Sequence, residues 1–129
     1  MKIAIFENEF DTLEMAFKYL NKKYFNNTLI FENYPRSQSF TNLNELSEYI
    51  LVIIDIDLSS QSNEDGFGLI RKIESTLSKV PKILILTGQE LSENYNIENG
   101  LTQKYPVLEK PVNYQKIKKE FDKLNITLK

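Results

Sequence analysis

The sequence predicts an α/β domain built on a parallel sheet with helices on both faces. Short apolar runs of strand-like composition alternate with segments whose apolar residues recur at helical spacing, in the order βαβαβαβαβα. Strands that alternate with helices in this way pair in parallel. In addition, four of these apolar runs lead into residues with reactive or charged side chains. The strand-like runs cover residues 3–6, 28–31, 50–54, 83–86 and 107–108.

The first half of the chain contains three of the predicted strands. After the first strand, residues 10–24 place apolar side chains at helical spacing, and two asparagines end that pattern. A loop rich in proline and serine, residues 34–39, follows the second strand. A short helix within residues 43–49 precedes the third strand, which is apolar enough to be buried on both faces. A polar loop at residues 59–66 ends this half.

The second half repeats the alternation of helix and strand. Apolar residues from Phe67 to Leu77 have helical spacing, and the fourth strand follows them. A weaker helical stretch precedes the fifth strand, with Ser92 as a candidate N-terminal cap and Gly100 as a candidate end. Asn113 is predicted to cap the final helix, because asparagine accepts hydrogen bonds from free backbone N–H groups at helix starts.

Polar residues follow four of the strand-like runs at their carboxyl ends. Glu7 begins an acidic cluster after the first run, and Asp55 directly follows the third run. Thr87 follows the fourth run, and Lys110 lies just beyond the fifth. In an open parallel sheet, ligands bind in the crevice at the carboxyl ends of the strands. Carboxylates, a hydroxyl and an ammonium that meet in one crevice indicate a site for a phosphoryl group and a metal ion.

Composition restricts the classes of function open to this chain. Its 129 residues predict a single domain spanning residues 1–129, and a net charge of −2 favours neither nucleic acid nor an anionic membrane. The absence of cysteine and histidine excludes thiol nucleophiles, imidazole bases and the commonest zinc ligands. No apolar stretch approaches the length of a membrane span, so a cytoplasmic location is expected.

Four segments of the sequence resemble the receiver domain of two-component response regulators. They occur in the order and close to the spacing of that family, and the resemblance extends over essentially the whole chain. It implies a flavodoxin-like sheet of five parallel strands in the order 2-1-3-4-5, whose crevice opens between strands one and three. The four segments are residues 5–9, 52–58, 85–88 and 108–111.

The resemblance implies that Asp55 accepts a phosphoryl group. Its carboxylate would act as a nucleophile and form an aspartyl phosphate. Lys110 would contact the phosphoryl oxygens, and the Thr87 hydroxyl would donate a hydrogen bond to one of them. The resemblance thus implies a signalling domain rather than an enzyme, which at most catalyses its own phosphorylation and dephosphorylation.

The same resemblance implies that the cofactor is Mg²⁺. Glu7 and Asn8 occupy the positions of the acidic pair that holds the metal directly or through water. Asp55 would be a further ligand, and Asp57 would contribute its backbone carbonyl. Mg²⁺ is a hard cation that binds such oxygen ligands.

Two departures from the family pattern affect these expectations. Asn8 stands where the family usually has a second acid, so we expect weaker Mg²⁺ binding. Val107 stands where the family usually has an aromatic residue that moves on activation, so the conformational switch is expected to differ.

Two other functions remain open from the sequence. Asn8 and Val107 favour a degenerate receiver that acts through phosphate-independent protein contacts, whereas Asp55, Thr87 and Lys110 oppose it. The Asp55-x-Asp57 pattern also resembles the signature of haloacid-dehalogenase-like phosphatases. That signature belongs on the first core strand, however, and only Glu120 and Asp122 follow Lys110 as candidates for the family's later acids.

The expected partners follow from the family resemblance. A sensor histidine kinase or a histidine phosphotransfer protein would supply the phosphoryl group, and a downstream protein would receive the signal. The resemblance is also compatible with a homodimer. Direct contact with nucleic acid or membrane is not expected, because the chain is slightly acidic and no basic stripe follows the last helix.

Overall fold

The computed structural model describes residues 1–40, 42–58, 62 and 64–128. Its five strands pair in parallel in the order β2-β1-β3-β4-β5, which confirms the predicted fold class and strand order. The strands are β1 (Lys2–Phe6), β2 (Ile30–Tyr34), β3 (Leu51–Asp55), β4 (Ile83–Thr87) and β5 (Val107–Glu109).

Helices and helical turns connect the strands. Short 3₁₀ segments form at Phe10–Thr12, Ser37–Ser39 and Leu43–Glu48, the last of them where a short helix was predicted. Within the described ranges, no helix combines the length and the apolar content needed to cross a membrane. The α-helices are α1 (Glu14–Phe25), α2 (Gly66–Thr76), α3 (Tyr95–Glu98) and α4 (Tyr114–Lys123).

The side chains of each central strand alternate between two apolar cores, one on each face of the sheet. In β3, Val52 and Ile54 pack into the core that contains α2 and the Leu43–Glu48 turn, whereas Leu51 and Ile53 pack into the core that contains α1 and α4. All four are fully buried. Successive residues of a strand point to opposite faces, so a strand covered on both faces is apolar throughout.

Three local predictions were wrong. The second strand begins and ends later than predicted, because the register pairs Lys2 with Ile30 and Phe6 with Tyr34. The helix before β5 has only four residues, and Asn94 rather than Ser92 occupies its N-cap position. Residues 10–24 form a 3₁₀ turn followed by α1 rather than one continuous helix.

Other local predictions agree with the structure. Gly100 follows α3 with a positive φ of 72°, a conformation that glycine adopts without steric cost. The Asn113 side chain accepts the N–H of Lys116 at 2.8 Å and caps α4 as predicted. The predicted loop at residues 59–66 lies partly outside the described residues.

Candidate functional site

Three of the predicted site residues are buried at the carboxyl edge of the sheet. Glu7, Asp55 and Thr87 each expose 1% or less of their surface. The strand register explains their proximity, since Phe6 pairs with Ile54 and Asp55 pairs with Leu86. Each acid therefore stands at the end of a central strand, one step beyond residues that belong to the apolar core.

Lys110 joins the two buried acids. Its Nζ lies 2.9 Å from Asp55 Oδ2 and 2.8 Å from Glu7 Oε2. Thr87 pairs with Glu109 across β4 and β5, and the Lys110 N–H donates to the Thr87 carbonyl at 2.8 Å. The following Lys110–Pro111 peptide bond is cis. The end of β5 thus directs the lysine side chain into the crevice between β1 and β3.

The electrostatics of this group follow from two buried carboxylates that share one ammonium. Burial is the largest cause that raises the pKa of Glu7, contact with Asp55 adds to it, and Lys110 and the N–H of Glu9 oppose the shift; together they bring the pKa to about 7. Burial alone would lower the pKa of Lys110, but its close contacts with the Glu7 and Asp55 carboxylates outweigh that effect and raise it. The crevice therefore favours a cation over an additional negative charge.

Both oxygens of the Asp55 carboxylate are held in place. Oδ1 accepts the N–H of Asp57 at 2.8 Å, and Oδ2 accepts from Lys110. The Asp57 side chain is exposed and accepts weakly from Gln89 Nε2, at 3.4 Å to each carboxylate oxygen. The backbone of the loop after β3 therefore orients Asp55, and the Asp57 carboxylate lies outside the buried group.

The oxygen donors at this edge suit a hard divalent cation in their chemistry. Glu7 Oε2 is buried without a hydrogen bond of normal geometry to any described residue, although Lys110 Nζ is its close charged neighbour. Asn8, in the next position, is exposed. Among the described residues, no three acidic, histidine or cysteine side chains form a metal-binding cluster. Glu7, Asn8, Asp55 and the backbone of Asp57 could hold Mg²⁺, but with only two carboxylates.

Thr87 is connected to the loop that follows β4. Its buried Oγ1 accepts the N–H of Gln89 at 3.0 Å, and the Gln89 side chain contacts Asp57 across the crevice. The hydroxyl is therefore bonded directly to the start of the loop that follows β4. Val107 lies half-buried beside this region and packs against the core on the α2 face.

Two residues that support the site were missed by the sequence reasoning. Asn33 Nδ2 donates to the carbonyls of Ile5 and Glu7, at 3.1 and 2.9 Å, and so fastens the end of β1 to the edge strand. The predicted second strand ended before Asn33, so its contact with β1 could not be anticipated. The second is Gly66, where an added Cβ would lie 2.3 Å from the Asp55 carbonyl oxygen. The sequence indicated only a turn there.

Neither a protein-family model nor a curated protein matches this sequence. Solved structures do match it over nearly its whole length. A two-component response regulator from Clostridium difficile has a TM-score of 0.69 and 19% identity, with 97% of this chain and 95% of that chain covered. The signal receiver domain of a DNA-binding response regulator from Colwellia psychrerythraea 34H has a TM-score of 0.71 and 18% identity, with 97% and 98% covered.

A third similar structure is the BeF3-activated N-terminal receiver domain of RstA from Klebsiella pneumoniae. Its TM-score is 0.67 and its identity 20%, with 95% of this chain and 96% of that chain covered. These likenesses show that the chain has the fold of response regulator receiver domains, as the sequence resemblance implied.

Proposed function

We propose that this chain is a phosphoacceptor domain of a two-component signalling system and that Asp55 receives the phosphoryl group. The proposal rests chiefly on the buried Asp55 carboxylate, which lies at the end of the central strand β3 and 2.9 Å from the Lys110 ammonium. A carboxylate in this position has a fixed orientation at the carboxyl edge of the sheet, where parallel α/β sheets bind ligands. The receiver-like fold supports the same function.

The proposed reaction is a direct transfer to the carboxylate. One Asp55 oxygen forms a bond to phosphorus, and the bond from phosphorus to the leaving group of the donor breaks. With acetyl phosphate as donor, acetate leaves and no other reactant is needed. Lys110 offsets the charge on the phosphoryl oxygens, and positioning with charge compensation is the main requirement of phosphoryl transfer.

Glu7, Asn8, Asp55 and the Asp57 carbonyl are the proposed holders of Mg²⁺. The bound ion would offset the charge that the phosphoryl group brings next to two carboxylates. Glu7 contributes a buried oxygen that is aligned with no described hydrogen-bond donor. Asn33 keeps the backbone of Glu7 in position through its bond to the Glu7 carbonyl.

Thr87 is proposed to connect phosphorylation to the surface. Its hydroxyl would donate to a phosphoryl oxygen, and the loop from Gln89 would adjust because the Gln89 N–H is bound to the same hydroxyl. We propose that the downstream protein reads the surface formed by residues 89–105 and α4. Ile97 on α3 is 74% exposed there, which suits an apolar protein contact better than nucleic acid.

A degenerate receiver that acts without phosphate is the second candidate. The observation that favours it is the exposed amide of Asn8 at the position of a metal-binding acid, which leaves two carboxylates for the ion. A haloacid-dehalogenase-like phosphatase is less well supported. Its second aspartate would act as the general acid, but the Asp57 side chain is exposed and turned toward Gln89.

Intact-mass measurement after incubation with acetyl phosphate and Mg²⁺ tests the proposal. The wild-type protein should gain one phosphoryl group, and Asp55→Asn should gain none. Lys110→Ala should be labelled more slowly while remaining folded, because it loses the cation beside the phosphoryl oxygens. Asp122→Asn is the matched control for Asp55→Asn, since it also replaces an aspartate by asparagine, but on the exposed surface of α4.

Labelling of Asp55→Asn at the wild-type level would refute the assignment of the acceptor. Absence of labelling in the wild-type protein, together with no Mg²⁺ binding at tens of millimolar, would favour the phosphate-independent receiver. Steady release of inorganic phosphate from many equivalents of a phosphomonoester would instead favour the phosphatase.

A further inference from the structure

A second concave surface lies at the amino end of the sheet, opposite the Asp55 crevice. It is a cleft of about 420 Å³ where β1, β3 and β4 begin and where the chain leaves α4. This volume is within the range of small-molecule sites in proteins. Its apolar lining includes Ile50, Val80, Pro81 and Ile126.

The end of α4 gives this cleft a defined wall. Asn125 adopts a left-handed conformation with φ 58°, and the Ile126 N–H donates to the Phe121 carbonyl at 2.9 Å. This geometry turns the chain back so that Ile126 is buried against the core on the α1 and α4 face. This wall of the cleft is therefore formed by a residue of the packed core.

The rim of the cleft is basic. Lys79 and Lys82 both line it, and no acidic residue is among the described residues that do. Lys82 Nζ donates to the Leu124 carbonyl at 2.6 Å, which fixes its position at the end of α4. Within the described part of the chain, neither lysine forms an ion pair with a carboxylate. Two ammonium groups beside an apolar floor complement an anion that carries an apolar body.

We propose that this cleft is a binding site for a small anionic amphiphile, a molecule with one acidic group and an apolar body of one or two rings. The acidic group contacts Lys79 and Lys82, and the apolar body contacts Val80, Pro81 and Ile126. The cleft lies at the opposite ends of the strands from Asp55, so this proposal does not rest on the phosphoacceptor function.

Titration with 1-naphthoate, followed by two-dimensional amide NMR, tests the proposal. Shift changes should be confined to the residues that line the cleft and should saturate at one equivalent. Neutral 1-naphthol should bind at least about threefold more weakly, since it lacks the charge that the lysines recognise. Unperturbed signals elsewhere in the spectrum show that the fold is intact during the titration.

Two lysine variants provide the matched comparison. Lys79→Glu should weaken 1-naphthoate binding about tenfold, because it replaces an attraction by a repulsion at the rim. Lys119→Glu makes the same change on the exposed face of α4 and should bind like the wild type. Equal affinities of the two variants, equal binding of naphthol and naphthoate, or shifts scattered over the surface would each overturn the proposal. A dimer that is detected by sedimentation and whose interface covers the cleft would overturn the proposal as well.

Discussion

At the scale of single residues, the site contains two buried acids but only one cation. Glu7 and Asp55 are both buried, and Lys110 is their shared cation. Removing charged groups from water has a large free-energy cost that a partner offsets only in part. The protein therefore holds Glu7 with a pKa of about 7, well above that of an ordinary glutamate. The two buried carboxylates, which share one ammonium, would therefore be stabilised by a further cation at this edge.

The raised pKa of Glu7 predicts a pH-dependent stability in the metal-free protein. The folded state binds the Glu7 proton more tightly than the unfolded state, whose ordinary value is 4.5. Its stabilising contribution is thus fully present below about pH 4.5 and is lost as the pH rises through about 7. Relative to Glu7→Gln, the free energy of unfolding of the wild type should fall by about 3 kcal/mol between pH 4 and 8.

Urea unfolding of both proteins in a chelator, at intervals across that pH range, measures this difference. Glu7→Gln is close to isosteric and cannot titrate, so the acids that lie away from Glu7 contribute equally to both curves and cancel, and the difference reports Glu7 together with its neighbours Asp55 and Lys110. A difference that stays constant with pH would show that Glu7 titrates normally in the folded protein.

Asn8→Asp should tighten Mg²⁺ binding. The change adds a third carboxylate beside Glu7 and Asp55, and Mg²⁺ affinity increases with ligand charge. Because Asn8 is exposed, solvent screening reduces the expected gain to about 1 kcal/mol, or roughly fivefold in affinity. Isothermal titration with Mg²⁺ measures the gain, with Asn27→Asp beyond the far end of α1 as the control for net charge. Identical affinities of Asn8→Asp and the wild type would place residue 8 away from the metal.

At the scale of secondary structure elements, the register and the start of α2 position the acids. Asp65 caps α2 by accepting the N–H of Gly68 at 2.7 Å, and the Gly66 N–H donates to the Ile56 carbonyl at 3.2 Å. The first turn of the helix thereby lies directly against the end of β3. This close approach requires a residue without a side chain at position 66.

Gly66→Ala should destabilise the protein by at least about 2 kcal/mol, as expected for overpacking against rigid backbone. The new Cβ would lie 2.3 Å from the Asp55 carbonyl oxygen and 2.4 Å from the Ile56 Cα. Gly88→Ala is the control, because a Cβ there meets no atom within 4 Å. Urea unfolding of the two variants makes the comparison. Equal losses of stability would show that α2 shifts freely relative to β3.

At the scale of the whole molecule, ligand binding at the edge of the sheet should stabilise the entire fold. Beryllofluoride with Mg²⁺ mimics the phosphoryl group, and we expect it to bind the proposed site in the folded protein but not the unfolded chain. At a ligand concentration of 100 Kd it should add about 2.7 kcal/mol, which raises the Tm by several degrees in a domain of this size. Differential scanning calorimetry measures the shift, which Asp55→Asn should lack and Asp122→Asn should retain. An equal rise in Asp55→Asn would show that the ligand binds elsewhere.

The sequence by itself determined the alternation of strands and helices and the polar residues at the strand ends. Both are local properties, because a strand that is buried on two faces is apolar along its length, as β3 and β4 are up to their last residues. Residues 50–55 illustrate this, since the apolar run and the acid that follows correspond to β3 and its last residue, Asp55. Asn113 was likewise predicted as a cap because its hydrogen bond spans only three residues.

Only the tertiary structure decided which of these groups meet. Glu7 and Lys110 are about a hundred positions apart, and their contact depends on the register of four strands. The limits of β2 were mispredicted because pairing with β1, rather than local composition, selects Ile30–Tyr34 and brings Asn33 to the carbonyl of Glu7. The raised pKa of Glu7 has the same origin, since burial and a second carboxylate arise only when distant segments pack together.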